Sequence, residues 1–218
     1  MTTRLRDVSR PVGGATVFAL TLLPLRRDRV GPLETGALRR MNGLPDRLHL
    51  GMWLVMQCGS VGAVPAAGAL ALVGGSGRAA ARLVASGLIA YLTAKAVKRM
   101  VRRGRPAEVL SQVRVRGKAA SGGGYVSGHA AVSMALARAA SDVYGSPAFL
   151  LPAVVAPLAG TSRIYVGAHL PLDVLGGAAL GWTVDGLLRL LMPHRGAQSR
   201  DPGQQVAALQ EIVAPASI

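Results

Sequence analysis

Long apolar blocks separated by short basic stretches dominate this chain. Residues 50–74 carry no charge over 25 positions, which is enough for a helix to cross a hydrocarbon core of about 30 Å. In a second block, 79–97, Arg82 and Lys95 lie close to the ends, where long side chains can reach the membrane surface. Three further blocks follow, at 128–144, 147–161 and 170–192. Only helices and closed barrels satisfy the backbone in lipid, so the pattern predicts an all-α integral membrane bundle.

Two shorter segments precede these blocks. Residues 11–25 are apolar over 15 positions between Arg10 and Arg26, which predicts a short or tilted first membrane helix. No Ala-x-Ala-like cleavage site follows, and this disfavours a signal peptide. Residues 33–48 predict an amphipathic helix at the membrane interface. The prediction is therefore a basic N-terminal region (1–49), a core (50–192) that brings the total to five or six membrane helices, and a polar, flexible tail (193–218).

Composition agrees with a membrane location. Half of the chain is hydrophobic, yet only 4% is aromatic, and small apolar residues allow helices to pack closely in lipid. The formal charge is +15, but the cations lie between apolar segments and do not form one basic soluble domain. This predicts anionic membrane lipids and an anionic substrate as partners, and no nucleic acid. The Ala-, Gly- and Arg-rich composition favours a bacterial chain in the cytoplasmic (inner) membrane.

The predicted membrane helices also contain polar and small residues at helical spacing. Two opposite-charge pairs are four residues apart, Arg138 with Asp142 and Asp185 with Arg189. We interpret both as structural pairs near the membrane face opposite the candidate site. A glycine pair with the same spacing, at 177 and 181, predicts a close helix contact.

Three short stretches at the ends of apolar blocks supply groups suited to phosphate chemistry. Fixed cations can bind a phosphate dianion, one histidine can attack phosphorus, and another can protonate the leaving oxygen. The stretches are Lys98 with Arg105-Pro106, then Ser127-Gly128-His129, then Ser162-Arg163 with His169 and Asp173. Up-and-down topology places all these ends on one membrane face, which supports a single shared site.

Local spacing predicts how these groups are held. His169 and Asp173 are four residues apart, so on one helix the carboxylate can hold one ring nitrogen and leave the other free. Pro171 suits the first turn of a helix, and Ser127 is a natural N-cap for the helix after it. Two helix N-termini aimed at one point favour an anion, and Gly128 allows close approach of the backbone.

Other polar residues nearby have a simpler interpretation. We expect Arg99, Arg102 and Arg103 to be solvated or to face lipid headgroups. Residues 121–124, Ser-Gly-Gly-Gly, predict a flexible loop that could cover the site. Nothing in the sequence offers a metal-ligand cluster, because only Asp173 lies near the two histidines.

Together the three stretches resemble the type 2 phosphatidic acid phosphatase superfamily. The family's first motif is Lys, six residues, Arg-Pro, and its third is Ser-Arg, five residues, His, three residues, Asp; this chain matches both. In the second, Pro-Ser-Gly-His, Val126 stands where Pro is usual. The resemblance covers roughly residues 33–191.

The resemblance implies roles for the matched residues. His169 forms a phospho-histidine, His129 is the general acid, and Asp173 orients His169. The phosphoryl oxygens are held by five groups: Lys98, Arg105, Ser127, the Gly128 amide and Arg163. The family's mechanism needs no metal and no other cofactor.

The implied function is hydrolysis of a lipid phosphate or diphosphate: phosphatidate, phosphatidylglycerol phosphate, a polyprenyl diphosphate or a polyprenyl-phospho-sugar phosphate. Two alternatives stay open, a vanadate-dependent haloperoxidase and a non-catalytic lipid-binding or transport protein. More Lys and Arg lie on the site side than on the other, and the positive-inside rule then favours a cytoplasmic site.

Overall fold

The computed structural model describes residues 2–26, 30–145 and 148–192. The predicted polar tail, residues 193–218, lies outside these ranges. The described residues contain helices and no strand, which confirms the all-α prediction. The α-helices are α1 (Thr2–Leu22), α2 (Pro32–Asn42), α3 (His49–Gln57), α4 (Ala63–Val73), α5 (Gly77–Met100), α6 (Pro106–Val109), α7 (Gly128–Tyr144), α8 (Leu151–Tyr165) and α9 (Pro171–Leu191). Short 3-10 turns cover Pro24–Arg26, Asp46–Leu48 and Ala148–Leu150.

Helices α7 and α9 form the centre of the bundle, since each packs against several other helices. Within the described ranges, α5 and α9 are long and apolar enough to cross a membrane, and α4 is a shorter apolar helix. Helix α9 packs against α1, α5 and α7, and α5 packs against α4 and α7. Small residues make this possible: a Cβ on Gly181 would lie 3.0 Å from the carbonyl carbon of Ala131. The predicted close contact at the glycine pair is thus a contact between α9 and α7.

The apolar block at 50–74 is not one helix, contrary to the prediction. It forms α3 and α4, separated by a turn at residues 58–62. The backbone of Gly59 lies directly against the carbonyl group of His129, so the turn packs on the first turn of α7. Composition does not reveal this break, because every residue around it is uncharged.

The N-terminal helices also differ from their predicted bounds. Helix α1 starts at Thr2 and continues through Pro11 to Leu22, instead of covering 11–25. Helix α2 ends at Asn42, before Gly43 and Pro45, and a 3-10 turn replaces the rest of the predicted 33–48 helix. Proline has no amide hydrogen and disfavours a helical residue before it, which explains the early end.

The charges inside the bundle pair between helices, at the end away from the candidate site. Asp185 accepts a hydrogen bond from Arg82 at 2.6 Å and lies 3.6 Å from Arg138. Asp142 accepts one from Arg10 at 2.8 Å and also pairs with Arg189. Arg82 was expected to reach the membrane surface, but it is buried, because a charge in an apolar core needs a partner.

Candidate active site

The helix ends that carry the three sequence motifs meet at one end of the bundle. Lys98 is in the last turn of α5, Arg105 precedes α6, His129 is in the first turn of α7, Arg163 is in the last turn of α8, and His169 precedes α9. The side chain of His129 lies near the cations of Lys98 and Arg163 and near His169. The groups expected from sequence therefore surround one location.

His169 and Asp173 are almost completely buried in this site. Their side chains are 3% and 0% exposed, and His169 Nδ1 lies 3.5 Å from Asp173 Oδ2. This distance is longer than an ordinary hydrogen bond. Asp173 Oδ2 also accepts a hydrogen bond from the Leu170 amide at 2.8 Å, which fixes the carboxylate. Burial lowers the pKa of His169 to about 4, against the opposing effect of Asp173, so the imidazole is neutral at pH 7.

Arg105 is held rigidly by backbone carbonyls. Its guanidinium donates to the carbonyl oxygens of Gly122 at 2.9 Å, Ala168 at 2.7 Å and Ser121 at 2.8 Å. The residue is only 8% exposed. Carbonyl oxygens orient the guanidinium without neutralising it, so its full charge remains available to an anion.

Lys98 and Arg163 add two more cations with little neutralisation. Lys98 Nζ donates to the Gly123 carbonyl at 3.2 Å. Arg163 Nη1 contacts the Met56 sulfur at 2.8 Å. Within the part of the chain that the structure describes, the buried Nε of Arg163 has no hydrogen-bond partner. A buried donor of this kind would be satisfied by a phosphoryl oxygen.

The start of α7 completes the site. Ser127 is fully buried, and its Oγ accepts from the Ala130 amide at 3.4 Å, as expected of an N-cap. The Ser127 amide donates to the Asp173 carbonyl at 2.8 Å and so ties α7 to α9. A Cβ on Gly128 would meet nothing within 4 Å, which leaves open space beside the helix N-terminus. Val126, the departure from the family motif, is buried in the core.

Two residues outside the expected set contact this machinery. Arg103 was expected to face solvent or headgroups, but it donates to Asp173 Oδ1 at 2.7 Å and to both carboxylate oxygens of Glu34. Glu34 also accepts from the Leu172 amide at 3.0 Å. No local pattern reveals Glu34, because it is 69 residues from Arg103 along the chain. The one available hint was that Glu34 is among only 10 acidic residues in the chain.

The Ser-Gly-Gly-Gly segment is bound to the site, although sequence predicted a flexible loop. Its first three carbonyls accept hydrogen bonds from Arg105 and Lys98. Its last residue, Gly124, donates to the Arg103 carbonyl at 2.7 Å. The segment therefore helps to hold the cations in place.

A cationic cavity of about 630 Å³ adjoins Lys98. Besides Lys98 and Arg103 it is lined by Arg99 and Arg102, with Glu108 and the glycines at 104, 122 and 123. Arg99 and Arg102 are both exposed. The cations that line this cavity are suited to an anionic group.

Comparison with known proteins agrees with this geometry. The sequence profile of the PAP2 superfamily matches residues 79–197. Decaprenylphosphoryl-5-phosphoribose phosphatase of Mycobacterium tuberculosis, from two strains, is 33% identical over 161 residues, covering 74% of this chain and 81% of the relative.

Two solved structures share the fold. Aquifex aeolicus LpxE superposes with a TM-score of 0.65 at 21% identity, covering 74% of this chain and 96% of LpxE. The PAP2-type phosphatidylglycerolphosphate phosphatase of Bacillus subtilis superposes with a TM-score of 0.68 at 20% identity, covering 87% and 98%. The family match spans more than half of the chain and agrees with the resemblance of the motifs. This protein therefore belongs to the PAP2 superfamily.

Proposed function

We propose that this PAP2-superfamily phosphatase removes the terminal phosphate of a polyprenyl-phospho-sugar phosphate at a membrane surface, through a phospho-histidine and without a metal ion. The observation that carries the proposal is a buried histidine, His169, whose Nδ1 lies 3.5 Å from a fixed carboxylate, in a site that also holds the cations Lys98, Arg105 and Arg163. Such a group can attack phosphorus while the cations balance the charge of the phosphoryl oxygens.

The first chemical step transfers the phosphoryl group to His169. The unprotonated ring nitrogen forms a bond to phosphorus, the bond from phosphorus to the sugar oxygen breaks, and His129 gives its proton to that oxygen. Asp173 stabilises the positive charge that develops on the His169 ring. Lys98, Arg105 and Arg163 stabilise the transferring phosphoryl group, together with Ser127 and the Gly128 amide.

Water completes the cycle in a second step. His129, now neutral, takes a proton from the water as its oxygen bonds to phosphorus. The bond between phosphorus and His169 then breaks, which releases inorganic phosphate and restores the neutral imidazole. His129 recovers the proton that the next cycle needs. Every proton transfer uses groups of the site and water.

Two observations favour a substrate with a second anionic group. The mycobacterial relative is named for a lipid with a phosphodiester on one side of ribose and a phosphate on the other. In this chain, Arg99 and Arg102 line the cavity next to Lys98. If the terminal phosphate occupies the catalytic site, the phosphodiester lies one sugar away, and these two cations can neutralise it.

We further propose that the chain crosses the inner membrane with five or six helices and has its site on the cytoplasmic face. Helices α5 and α9 are long enough to span, and α1, α7 and α8 run beside them. The excess of Lys and Arg on the site side supports this orientation. Impermeant maleimide labelling of Lys118→Cys, exposed near the site, in a Cys58→Ser background tests it. Labelling only after permeabilisation is expected, and labelling of intact cells would reverse the orientation.

A substrate panel tests the function. Purified protein would be assayed for phosphate release from a polyprenyl-phospho-pentose phosphate, phosphatidate, phosphatidylglycerol phosphate and a polyprenyl diphosphate, with His169→Ala as the control. We expect the highest kcat/KM with the first substrate. Preference for another lipid phosphate would change the substrate and leave the reaction in place. Activity no greater than that of His169→Ala with all four would contradict the proposal and favour a lipid-binding protein, and halide oxidation with vanadate would favour a haloperoxidase.

A further inference from the structure

We infer that Arg103 and Glu34 are positioning residues for the reaction: they form a buried relay behind Asp173 that fixes its carboxylate and sets the charge facing His169. The inference rests on the proposed role of His169 as nucleophile. Neither residue belongs to the three motifs. Arg103 also lines the cavity beside Lys98, but its guanidinium is engaged by Asp173 and Glu34.

The hydrogen bonds of Arg103 define the relay. Its Nη1 donates to Asp173 Oδ1 at 2.7 Å and to Glu34 Oε1 at 3.0 Å. Its Nη2 donates to Glu34 Oε2 at 2.6 Å. A guanidinium that meets one carboxylate with two nitrogens has its orientation fixed. Burial opposes the charge of Arg103, but Glu34 and Asp173 outweigh burial and raise its pKa, so it stays cationic.

Glu34 performs two tasks at once. It fixes Arg103, and it accepts a hydrogen bond from the Leu172 amide in the first turn of α9. Its side chain is only 7% exposed, although it sits on α2, whose other face is open. Helix α2 is thereby joined to the segment that carries both His169 and Asp173.

The relay leaves Asp173 no freedom to rotate. One carboxylate oxygen is held by Arg103, and the other faces the Leu170 amide and His169 Nδ1. A carboxylate that pairs with an arginine alone would be neutralised and would stabilise an imidazolium poorly. Glu34 restores the balance, because two carboxylates and one guanidinium leave one net negative charge behind His169.

This charge balance predicts opposite pH effects for the two positions. The acid limb of the pH profile is the fall of kcat/KM at low pH, where His169 becomes protonated. Removing the cation of Arg103 increases the negative charge behind His169, which favours the protonated ring, so this limb moves to higher pH. Removing the charge of Glu34 decreases it, so the limb moves to lower pH. The other charged or titratable groups near His169 are Lys98 on α5, Arg105 before α6, Arg163 on α8 and His129 on α7. These groups are the same in every variant. A residue with a purely structural role would not produce shifts of opposite sign.

The experiment compares Arg103→Met and Glu34→Gln with two exposed controls on the same membrane face, Arg40→Gln and Arg47→Gln. For both relay variants we expect kcat to fall by about 10- to 100-fold with KM changed by less than about 3-fold, as for a misplaced catalytic group. The acid limbs should move in opposite directions, and both controls should match the unsubstituted protein.

An Asp173→Asn background gives the sharpest form of the test. If Arg103 acts only through Asp173, then Arg103→Met should cost less than about 2-fold once Asp173 is already changed. An equal loss in both backgrounds would overturn the relay. So would relay variants as active as the controls, or acid limbs that move in the same direction.

Failure of the relay is separable from failure of the proposed function. If His169→Ala remains active, the nucleophile is wrong, and the relay fails with it. If His169→Ala is inactive while both relay variants are fully active, the relay alone is wrong. Gel filtration and a thermal melt in detergent report folding. If Arg103→Met does not fold, the isosteric Glu34→Gln variant decides alone. A lower kcat together with an acid limb of kcat/KM at lower pH supports the relay. If either of these two results is not observed, the relay is contradicted.

Discussion

We predict that adding a single methyl group at Gly177, by the substitution Gly177→Ala, strongly lowers catalytic activity. It lies on α9, one turn after Asp173, and packs on the backbone that starts α7. A Cβ built there lies 3.1 Å from the Ala130 Cβ and 3.2 Å from the Ser127 carbonyl carbon, with the Ser127 carbonyl oxygen closer still. Since carbon atoms pack at about 3.5–4.0 Å, Gly177→Ala should push the two helices apart by about 1 Å. The nucleophile end of α9 would then move away from the His129 end of α7.

The expected loss of stability comes from overpacking the contact between α7 and α9, and the expected loss of rate comes from misplacing the catalytic groups. Overpacking a tight contact costs about 1–3 kcal/mol, and a misplacement of about 1 Å can cost 10²-fold in rate. We therefore expect Gly177→Ala to lower Tm in detergent and to lower kcat by about 10²-fold, with a smaller change in KM. Gly181→Ala, one turn further from the site and equally tight against α7, should lower Tm but reduce kcat less.

Gly51→Ala is the matched control, because a Cβ there meets nothing within 4 Å. Alanine is the better helix former by about 1 kcal/mol, so this variant should be neutral or slightly stabilised and fully active. If Gly177→Ala behaved like Gly51→Ala, the claim that the α7–α9 contact sets the catalytic geometry would be refuted.

Four further outcomes follow from the site. Activity should survive EDTA and be inhibited by vanadate, which can adopt the five-coordinate geometry of the transition state; loss with EDTA and recovery with Mg²⁺ would contradict the mechanism. His129→Ala should cost about 10²–10⁴-fold with an alkoxide leaving group, and much less with nitrophenolate; equal losses would mean that His129 is not the acid. The acid limb of kcat/KM should lie well below pH 6.5, because burial lowers the pKa of His169 to about 4. The neutral nucleophile is lost only as the pH falls through that value, so an acid limb at pH 6.5 would contradict this prediction. Replacing Arg99 and Arg102 together with Gln should raise KM for a polyprenyl-phospho-sugar phosphate more than for phosphatidate; equal effects would contradict the second-anion subsite.

Sequence was sufficient for the parts of this protein that depend on local chemistry. The approach of His169 to Asp173 and the cap formed by Ser127 are each determined within four residues. His169 was predicted to lie on the same helix as Asp173, but it lies just before that helix begins. The all-α class follows from long apolar blocks, because lipid leaves the backbone few alternatives. These features were predicted correctly for that reason.

What the sequence did not reveal depends on contacts between distant segments. In the sequence, Arg103 cannot be distinguished from the other arginines of its basic stretch. Its role depends on Glu34, which lies on α2 and binds it only in the folded structure. The break after α3 is equally invisible, since it results from the packing of Gly59 on α7. Arg82 looked like a surface cation because its partner, Asp185, is 103 residues away.

The central claim is that His169 carries the phosphoryl group, and rapid-quench trapping tests it most directly. Protein mixed with a ³²P-labelled lipid phosphate would be quenched within milliseconds, and the labelled residue mapped by mass spectrometry. We predict an acid-labile, base-stable phospho-protein with the label on His169, and no label in His169→Ala. A phospho-enzyme that still forms in His169→Ala, or that maps to His129, would contradict it.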